Sequence, residues 1–346
     1  MKRILKITLG LLAGLAAILA AAALAIVFLH SSADLEEPEF TPSPGVAECS
    51  DSLRVWKDNY LRYDRSGLME MRISGSAFER GEAIGKLAPD LLKAQEKAFV
   101  DKLYELVPSE FCIRFLMYFI YIFNRDLGKN VPLEYRREIK AMSEYCSREY
   151  DAYGTPYERQ MQYHSAHDIG HVMQDYMLVG CTSFAVWGDE SEDGEIIAGR
   201  NFDFYMGEDF AGRNIVLAER PDSGYAYVSV TWPGMTGVLS GKNEKGLTVS
   251  INASKLETPK MSATPVSILA KEILQYATDI EEAVCIARAA KTFVSESFLI
   301  CSASDGRAAV IEKTPSEMDV YDPAANDPEC CRVVCANHYQ SDLFRD

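Results

Sequence analysis

Cys181 stands at the head of a short apolar segment, Phe184-Ala185-Val186-Trp187, behind Gly180. A polar turn from Gly188 to Gly194 follows, and a second apolar run leads into Gly199-Arg200-Asn201-Phe202-Asp203-Phe204. This is the pattern of a β-hairpin whose return strand brings a cation, an amide and a carboxylate back toward a thiol. If the peptide bond before Cys181 is cut, that residue owns both a thiol and a free α-amine. An α-amine titrates at about 7.7–8.0, so it serves as the thiol's general base without a histidine. Two further amides close strands elsewhere. Asn252 ends a run after the turn Asn243-Glu244-Lys245-Gly246, and Asn337 ends Val333-Val334-Cys335-Ala336-Asn337-His338. Amides at strand ends sit on rigid elements and suit an oxyanion.

The elements that must hold these groups are read from periodicity and breakers. Met69 to Ser74 is a short strand, and Gly75-Ser76-Ala77-Phe78-Glu79-Arg80-Gly81 turns into a helix. Helical patterns cover about 82–107, 110–127, 133–150 and 155–178, split by Pro108, Pro132 and Pro156. After Cys181 the period changes to two, with strands at 181–187, 195–204, 213–219, 225–231, 237–240 and 247–252. Helices at 265–277 and 280–290 come next, then strands at 297–303, 308–313, 317–321 and 332–336. The order predicts an α+β fold of antiparallel sheets covered by helices.

At the N-terminus, Lys2, Arg3 and Lys6 precede an uncharged run from Ile7 to Leu29. The run is longer than a signal-peptide core and reads as an uncleaved signal anchor, residues 1–30, with a cleaved signal as the alternative. The charges place the remainder outside the cytoplasm. Residues 31–66 read as a linker, 67–180 as a helical segment and 181–346 as the β-rich, nucleophile-bearing part of the same domain. The formal charge of −16 and the lack of a basic patch beyond the N-terminus argue against nucleic acid. Nine cysteines suit an oxidising compartment, and the odd number leaves one unpaired, Cys181 being the natural candidate. Cys330, Cys331 and Cys335 lack zinc spacing.

Five stretches in order carry a family resemblance: Gly75-Ser76-Ala77-Phe78-Glu79-Arg80-Gly81 with Gly85, Gly180-Cys181-Thr182, Gly199-Arg200-Asn201-Phe202-Asp203-Phe204, Asn243-Glu244-Lys245-Gly246-Leu247 with Asn252, and Ala336-Asn337-His338. The chain resembles the N-terminal-nucleophile (Ntn) hydrolases, most closely the acyl-CoA:6-aminopenicillanic acid acyltransferase-like branch (peptidase family C45), with choloylglycine hydrolases and acid ceramidase more distant. The resemblance implies an αββα sandwich and self-cleavage between Gly180 and Cys181 into two associated fragments. It implies Cys181 as nucleophile, its amine held by Asp203, Arg200 as support, and Asn252 and Asn337 lining the oxyanion hole. It needs no cofactor and no metal. Family members continue well past the position of Asn337, whereas nine residues follow it here, so the sequence reads as lacking C-terminal strands.

The expected activity is hydrolysis of a non-peptide linear amide of a lipid-like or aromatic acyl group, with acyl transfer to an amine as the alternative. Two rivals stand beside it. His164, His167 and His171 share a helical face and pose as a metal site, or the chain is a surface protein without activity. The aromatic run Phe111 to Phe123 reads as helical core or as the mouth of an acyl pocket.

Overall fold

The computed structural model describes residues 2–31, 33–166, 168, 179–204, 206–257 and 262–345. Its helices are α1 (Lys2–Ser31), α2 (Ala77–Leu87), α3 (Pro89–Leu106), α4 (Glu110–Phe123), α5 (Leu127–Asn130), α6 (Leu133–Ser143), α7 (Pro156–His164), α8 (Glu208–Ala211), α9 (Val266–Tyr276), α10 (Ile280–Ala289) and α11 (Pro323–Asn326). The strands are β1 (Glu48–Cys49), β2 (Leu53–Trp56), β3 (Asn59–Tyr63), β4 (Met69–Gly75), β5 (Val179–Val186), β6 (Ile197–Phe204), β7 (Ile215–Pro221), β8 (Tyr227–Thr231), β9 (Ser240–Asn243), β10 (Leu247–Ala253), β11 (Glu296–Ser302), β12 (Arg307–Lys313), β13 (Met318–Tyr321) and β14 (Arg332–Cys335).

Eleven strands form one sheet in the order β1-β2-β3-β4-β7-β8-β9-β10-β11-β12-β13, and β14-β5-β6 form a second. Among the described residues only β4 and β7 pair in parallel, in a mixed fold that is otherwise antiparallel. One face of the large sheet is closed by helices. Met71, Ile73 and Leu217 pack on α2 at one end, and Val249, Ile251 and Ile300 pack on α9 and α10 at the other. The opposite face is covered at β11 and β12 by the small sheet, where Ala185, Trp187 and Val333 meet Leu299, Cys301 and Val310. Farther along that face Val228 and Val230 are exposed, as are Phe184, Ile197 and Val334 on the outer side of the small sheet. Three layers are thus seen among the described residues where the resemblance implied four.

The segment expected to be a linker is tied down instead. Leu35 is buried among Leu127, Val131, Tyr135 and Tyr157, Phe40 stacks on Phe78, and the Ser43 amide donates to Glu82 at 2.6 Å. Residues 48–63 then extend the large sheet as β1–β3. Alternation there is weak and the polar turns are close together, which hid these strands. The anchor expectation also meets a limit. Among the described residues no single helix is long and apolar enough to cross a membrane.

The glycine-rich start of α2 has a structural meaning. Gly75 adopts φ +109°, and the Ser76 amide and hydroxyl donate to the Glu79 carboxylate at 2.9 and 2.8 Å, a cap that fixes the helix start. A side chain at Gly81 would lie 2.0 Å from the Glu138 carbonyl oxygen, so only glycine lets α2 and α6 approach this closely. Arg80 is buried and pairs with Glu138 and Glu219 at 2.8 Å each and with Glu134 at 3.0 Å. Lys271 completes the cluster from α9, 2.7 Å from Glu138 and 3.2 Å from Glu219.

Candidate active site

Strand β5, central in the small sheet, turns alternate residues toward the large one. Cys181, Ser183 and Ala185 are buried, whereas Thr182 and Phe184 are exposed, as the period-two geometry of a strand requires. Cys181 faces Phe202 across the β5–β6 pair and Ser183 faces Arg200, so Cys181, Ser183, Arg200 and Phe202 share the inner face. The Gly180–Cys181 peptide bond lies inside β5.

Arg200 lies beside the thiol. Its Nη2 lies 3.8 Å from Cys181 Sγ and also donates to the Ile251 carbonyl, while Nη1 donates to Ser240 Oγ at 2.8 Å. The guanidinium also sits 4.4 Å above the Phe202 ring. Burial pushes the thiol pKa up; the Arg200 charge and the Ala253 backbone pull it back, while Glu296 adds to the rise. The same burial lowers the guanidinium from its usual value.

The two amides occupy different positions from those expected. Asn337 Oδ1 accepts the Cys181 backbone N–H at 3.1 Å, and its Nδ2 donates to the Ala253 carbonyl at 2.6 Å. It therefore holds the nitrogen of Cys181 with an acceptor, which is what a freed α-amine would need. Asn252 is fully buried and ties the sheets together, accepting from Ser183 Oγ at 3.1 Å and donating to the Cys335 carbonyl at 3.1 Å. Asp203 pairs with Gly180 in the ladder and is exposed on the outer face. Its carboxylate takes both hydrogen bonds from Asn201 Nδ2, at 3.1 and 3.2 Å, and flanks Gly180, not the thiol. So β5–β6 register brings Arg200 to Cys181 and leaves Asn201 and Asp203 outside.

Other groups gather here that the sequence did not place at this site; in the chain Asp168 stands beside the histidines. Glu296 lies opposite Ala253 in the β10–β11 pair and is fully buried, as is Asp168, whose Oδ2 accepts the Val266 N–H at 3.0 Å. Burial raises both carboxyls well above their usual range, and Asp168 raises Glu296 further. An acid heading the apolar run Phe298 to Ile300 was the only trace of the first. Beside Arg200 opens a cavity of about 410 Å³, walled by Phe202, Phe204, Phe210 and Trp232 with Ser240 at its edge. Trp232 stacks on Phe202 and Phe204 at 6.3 and 6.1 Å and meets Phe210 edge-on at 5.1 Å. Such a surface suits an apolar or aromatic group.

The histidine constellation does not form a metal site from His164. Its Nδ1 bonds the Gln160 carbonyl at 2.7 Å and its Nε2 accepts the Thr236 N–H at 2.8 Å, so both nitrogens are committed. His167 and His171 lie outside the described residues, and among the described residues no group of three or more His, Cys, Asp or Glu could hold an ion. Burial lowers the His164 pKa to about 4. The unfolded chain takes up this proton below about 6.5 while the folded chain refuses it. Stability is therefore expected to fall as pH drops from about 6.5 to about 4, by about 3 kcal/mol in all. Urea titrations across that range should show the loss, and His164→Gln should flatten it; an unchanged slope in the variant would contradict the assignment. All nine cysteines carry free thiols.

With this geometry in place, comparison with known proteins locates the chain. Residues 189–346 match the family described as Acyl-coenzyme A:6-aminopenicillanic acid acyl-transferase. The match covers less than half of the chain. The acyl-transferase match begins after Cys181 and takes in Arg200, Asp203, Asn252 and Asn337. An uncharacterized protein of Archaeoglobus fulgidus is 24% identical over 314 residues, covering 79% of this chain and 50% of its own length. The chain thus spans about half the length of that relative. Among solved structures, the Caenorhabditis elegans N-acylethanolamine-hydrolyzing acid amidase ortholog is similar over 47% of this chain and 75% of its own, at 22% identity and TM-score 0.38. A mutant of conjugated bile acid hydrolase from Clostridium perfringens is similar over 47% of this chain and 55% of its own, at 17% identity and TM-score 0.32.

Proposed function

We propose that this chain is a self-processing amidohydrolase with Cys181 as its nucleophile. The observation that carries the reading is the buried Cys181 thiol beside the Arg200 guanidinium, with the Cys181 nitrogen held by Asn337 and an aromatic cavity next to it. In the first step the thiol attacks the Gly180 carbonyl, the C–N bond breaks, and the thiol proton passes to the departing nitrogen. Water then hydrolyses the thioester, leaving a Gly180 carboxylate and a free Cys181 bearing thiol and amine. In turnover the thiolate attacks a linear amide, and the Cys181 ammonium gives its proton to the leaving amine. Water, activated by the amine, releases the acid. Asn337 orients the amine, Arg200 favours the thiolate, and Asp203 lies where the new Gly180 terminus would form.

The aromatic walls favour an aromatic or lipid-like acyl group. The uncharged run Ile7 to Leu29 of α1, preceded in the same helix by Lys2, Arg3 and Lys6, supports attachment to a membrane with the remainder extracytoplasmic, where acyl-CoA is scarce and water is the natural acceptor. Transfer of the acyl group to an amine is the second reading, favoured by the description of the matched family. The test is hydrolysis of phenylacetyl and long-chain fatty acyl amides of a fluorogenic amine by the full chain, abolished in Cys181→Ala. No turnover of any member of that series by a correctly cleaved protein would reject the substrate class. Trp232→Ala is expected to lower kcat/KM for the phenylacetyl amide about tenfold, since each aromatic contact contributes about 0.5–1.5 kcal/mol, and to leave an acetyl amide of the same amine, run beside the series, unchanged. Equal losses for both would place Trp232 outside the acyl site.

A further inference from the structure

We infer that the elbow formed by α3 and α4 docks on a lipid surface and admits the acyl chain to the site. The inference rests on the membrane attachment proposed for α1 and gives it a second, separate contact. Helix α4 turns Phe111, Phe115, Leu116 and Phe119 to solvent, up to 78% exposed at Phe111, while Ile113 and Tyr121 on its other side are buried. The phenyl rings form one stripe, with Phe111–Phe115 and Phe115–Phe119 centroids 6.4 and 4.7 Å apart. A contiguous exposed apolar stripe of this kind marks a membrane or partner surface. Taken together, Pro89–Leu106 and Glu110–Phe123 are apolar enough for a span but bend by 114° between them. That shape fits lying in an interface better than crossing it.

Two observations select lipid as the occupant. The first is the position of α1. Leu35 is pinned under α5 and α7, its carbonyl accepting from Tyr157 Oη at 3.1 Å, and four residues of extended chain reach at most about 14 Å. The end of α1 at Ser31 therefore cannot leave the neighbourhood of α5, which begins four residues after α4 ends. Helix α1 also packs against α4, so a bilayer that holds α1 meets the phenyl stripe. The second is what lies beneath. A cavity of about 160 Å³ opens between α3 and α4, lined by Leu103, Leu106, Ile113, Leu116, Ile120 and Phe204 among others. Phe204 also walls the cavity at Arg200, so the apolar lining runs from the stripe toward Cys181.

The test needs no catalysis, so its failure is separable from failure of the amidase reading. The full chain and its Phe115→Trp variant are reconstituted in phosphatidylcholine vesicles, the three native tryptophans supplying the baseline. The added emission is expected to be quenched by more than half by acyl-brominated phosphatidylcholine and to be shielded from aqueous iodide; Phe111→Trp, at the most exposed position, repeats the test should the first variant misfold. A chain that floats with vesicles while its added tryptophan stays open to iodide and blind to bromolipid would overturn the elbow and spare the α1 attachment. A chain that does not float would overturn both.

Discussion

Arg80→Ala is expected to destabilise the protein by about 3–5 kcal/mol at neutral pH, the cost of stripping one partner from a buried ion cluster. Glu138 and Glu219 are fully buried, and Arg80 pairs with both at 2.8 Å. Lys271, 2.7 Å from Glu138, cannot balance two buried carboxylates alone. Burial, and then the neighbouring Glu219, already raises the Glu138 pKa, with Lys271 and Arg80 pulling it down. Loss of Arg80 therefore moves this carboxyl further toward its neutral form. The penalty should be fullest near pH 7 and shrink on acidification, as protonation removes the uncompensated charge. Urea denaturation at pH 7 and pH 5 reads both effects, and a loss below about 1 kcal/mol at pH 7 would mean the cluster is not carrying the packing of α2. The cluster also joins the two sides of the proposed cut. Arg80 and Glu138 precede Cys181, whereas Glu219 and Lys271 follow it. In cleaved protein the same variant should let the fragments separate on gel filtration, where the parent stays together.

Arg200→Gln carries the second large expectation, a fall of about a hundredfold in the rate of self-cleavage. A unit charge about 4 Å from another is worth about 4 kcal/mol at an effective dielectric constant near 20, and Arg200 Nη2 lies 3.8 Å from Cys181 Sγ. Part of that figure is offset by solvent in the adjoining cavity, which leaves about two powers of ten. The sign is fixed by the geometry. Without the cation the buried thiol pKa rises further, less thiolate is present at any given pH, and the pH profile of alkylation at Cys181 shifts upward. Arg200→Lys should fall between the two, since an ammonium keeps the charge but cannot bond Ser240 and Ile251 in a fixed fork. An unshifted alkylation profile in Arg200→Gln would show that the guanidinium only fills space.

How much of this was legible in the chain depends on the kind of signal involved. Strands after Cys181 alternate clearly and end in turns rich in Gly, Asn and Pro, so β5–β14 fall within a few residues of expectation. The turn at Asn243 is built from its own side chain, whose Oδ1 accepts from the Lys245 and Leu247 amides at 3.0 Å each; that is a local device and reads locally. Register is not local. Nothing in Gly199 to Phe204 says which of Arg200 and Asp203 turns inward, because parity depends on how β6 meets β5. Hence the inward Arg200 and outward Asp203 had to be seen. The same limit hid Asn337 as an acceptor for the Cys181 nitrogen, a contact between residues 156 positions apart. Of the expected helix through 155–178, α7 spans Pro156 to His164 and residues 167 and 169–178 lie outside the described residues, while Arg80, which looked like a motif residue near a site, proves to hold the scaffold together.

The central claim is that Cys181 cuts the chain before itself and thereby becomes the nucleophile. Intact mass of the full chain, purified in detergent beside Cys181→Ala, tests it most directly. The account predicts two fragments divided between Gly180 and Cys181 in the parent and a single uncut chain in the variant. An uncut parent that nonetheless hydrolyses amides, or a variant cleaved at the same bond, would contradict it.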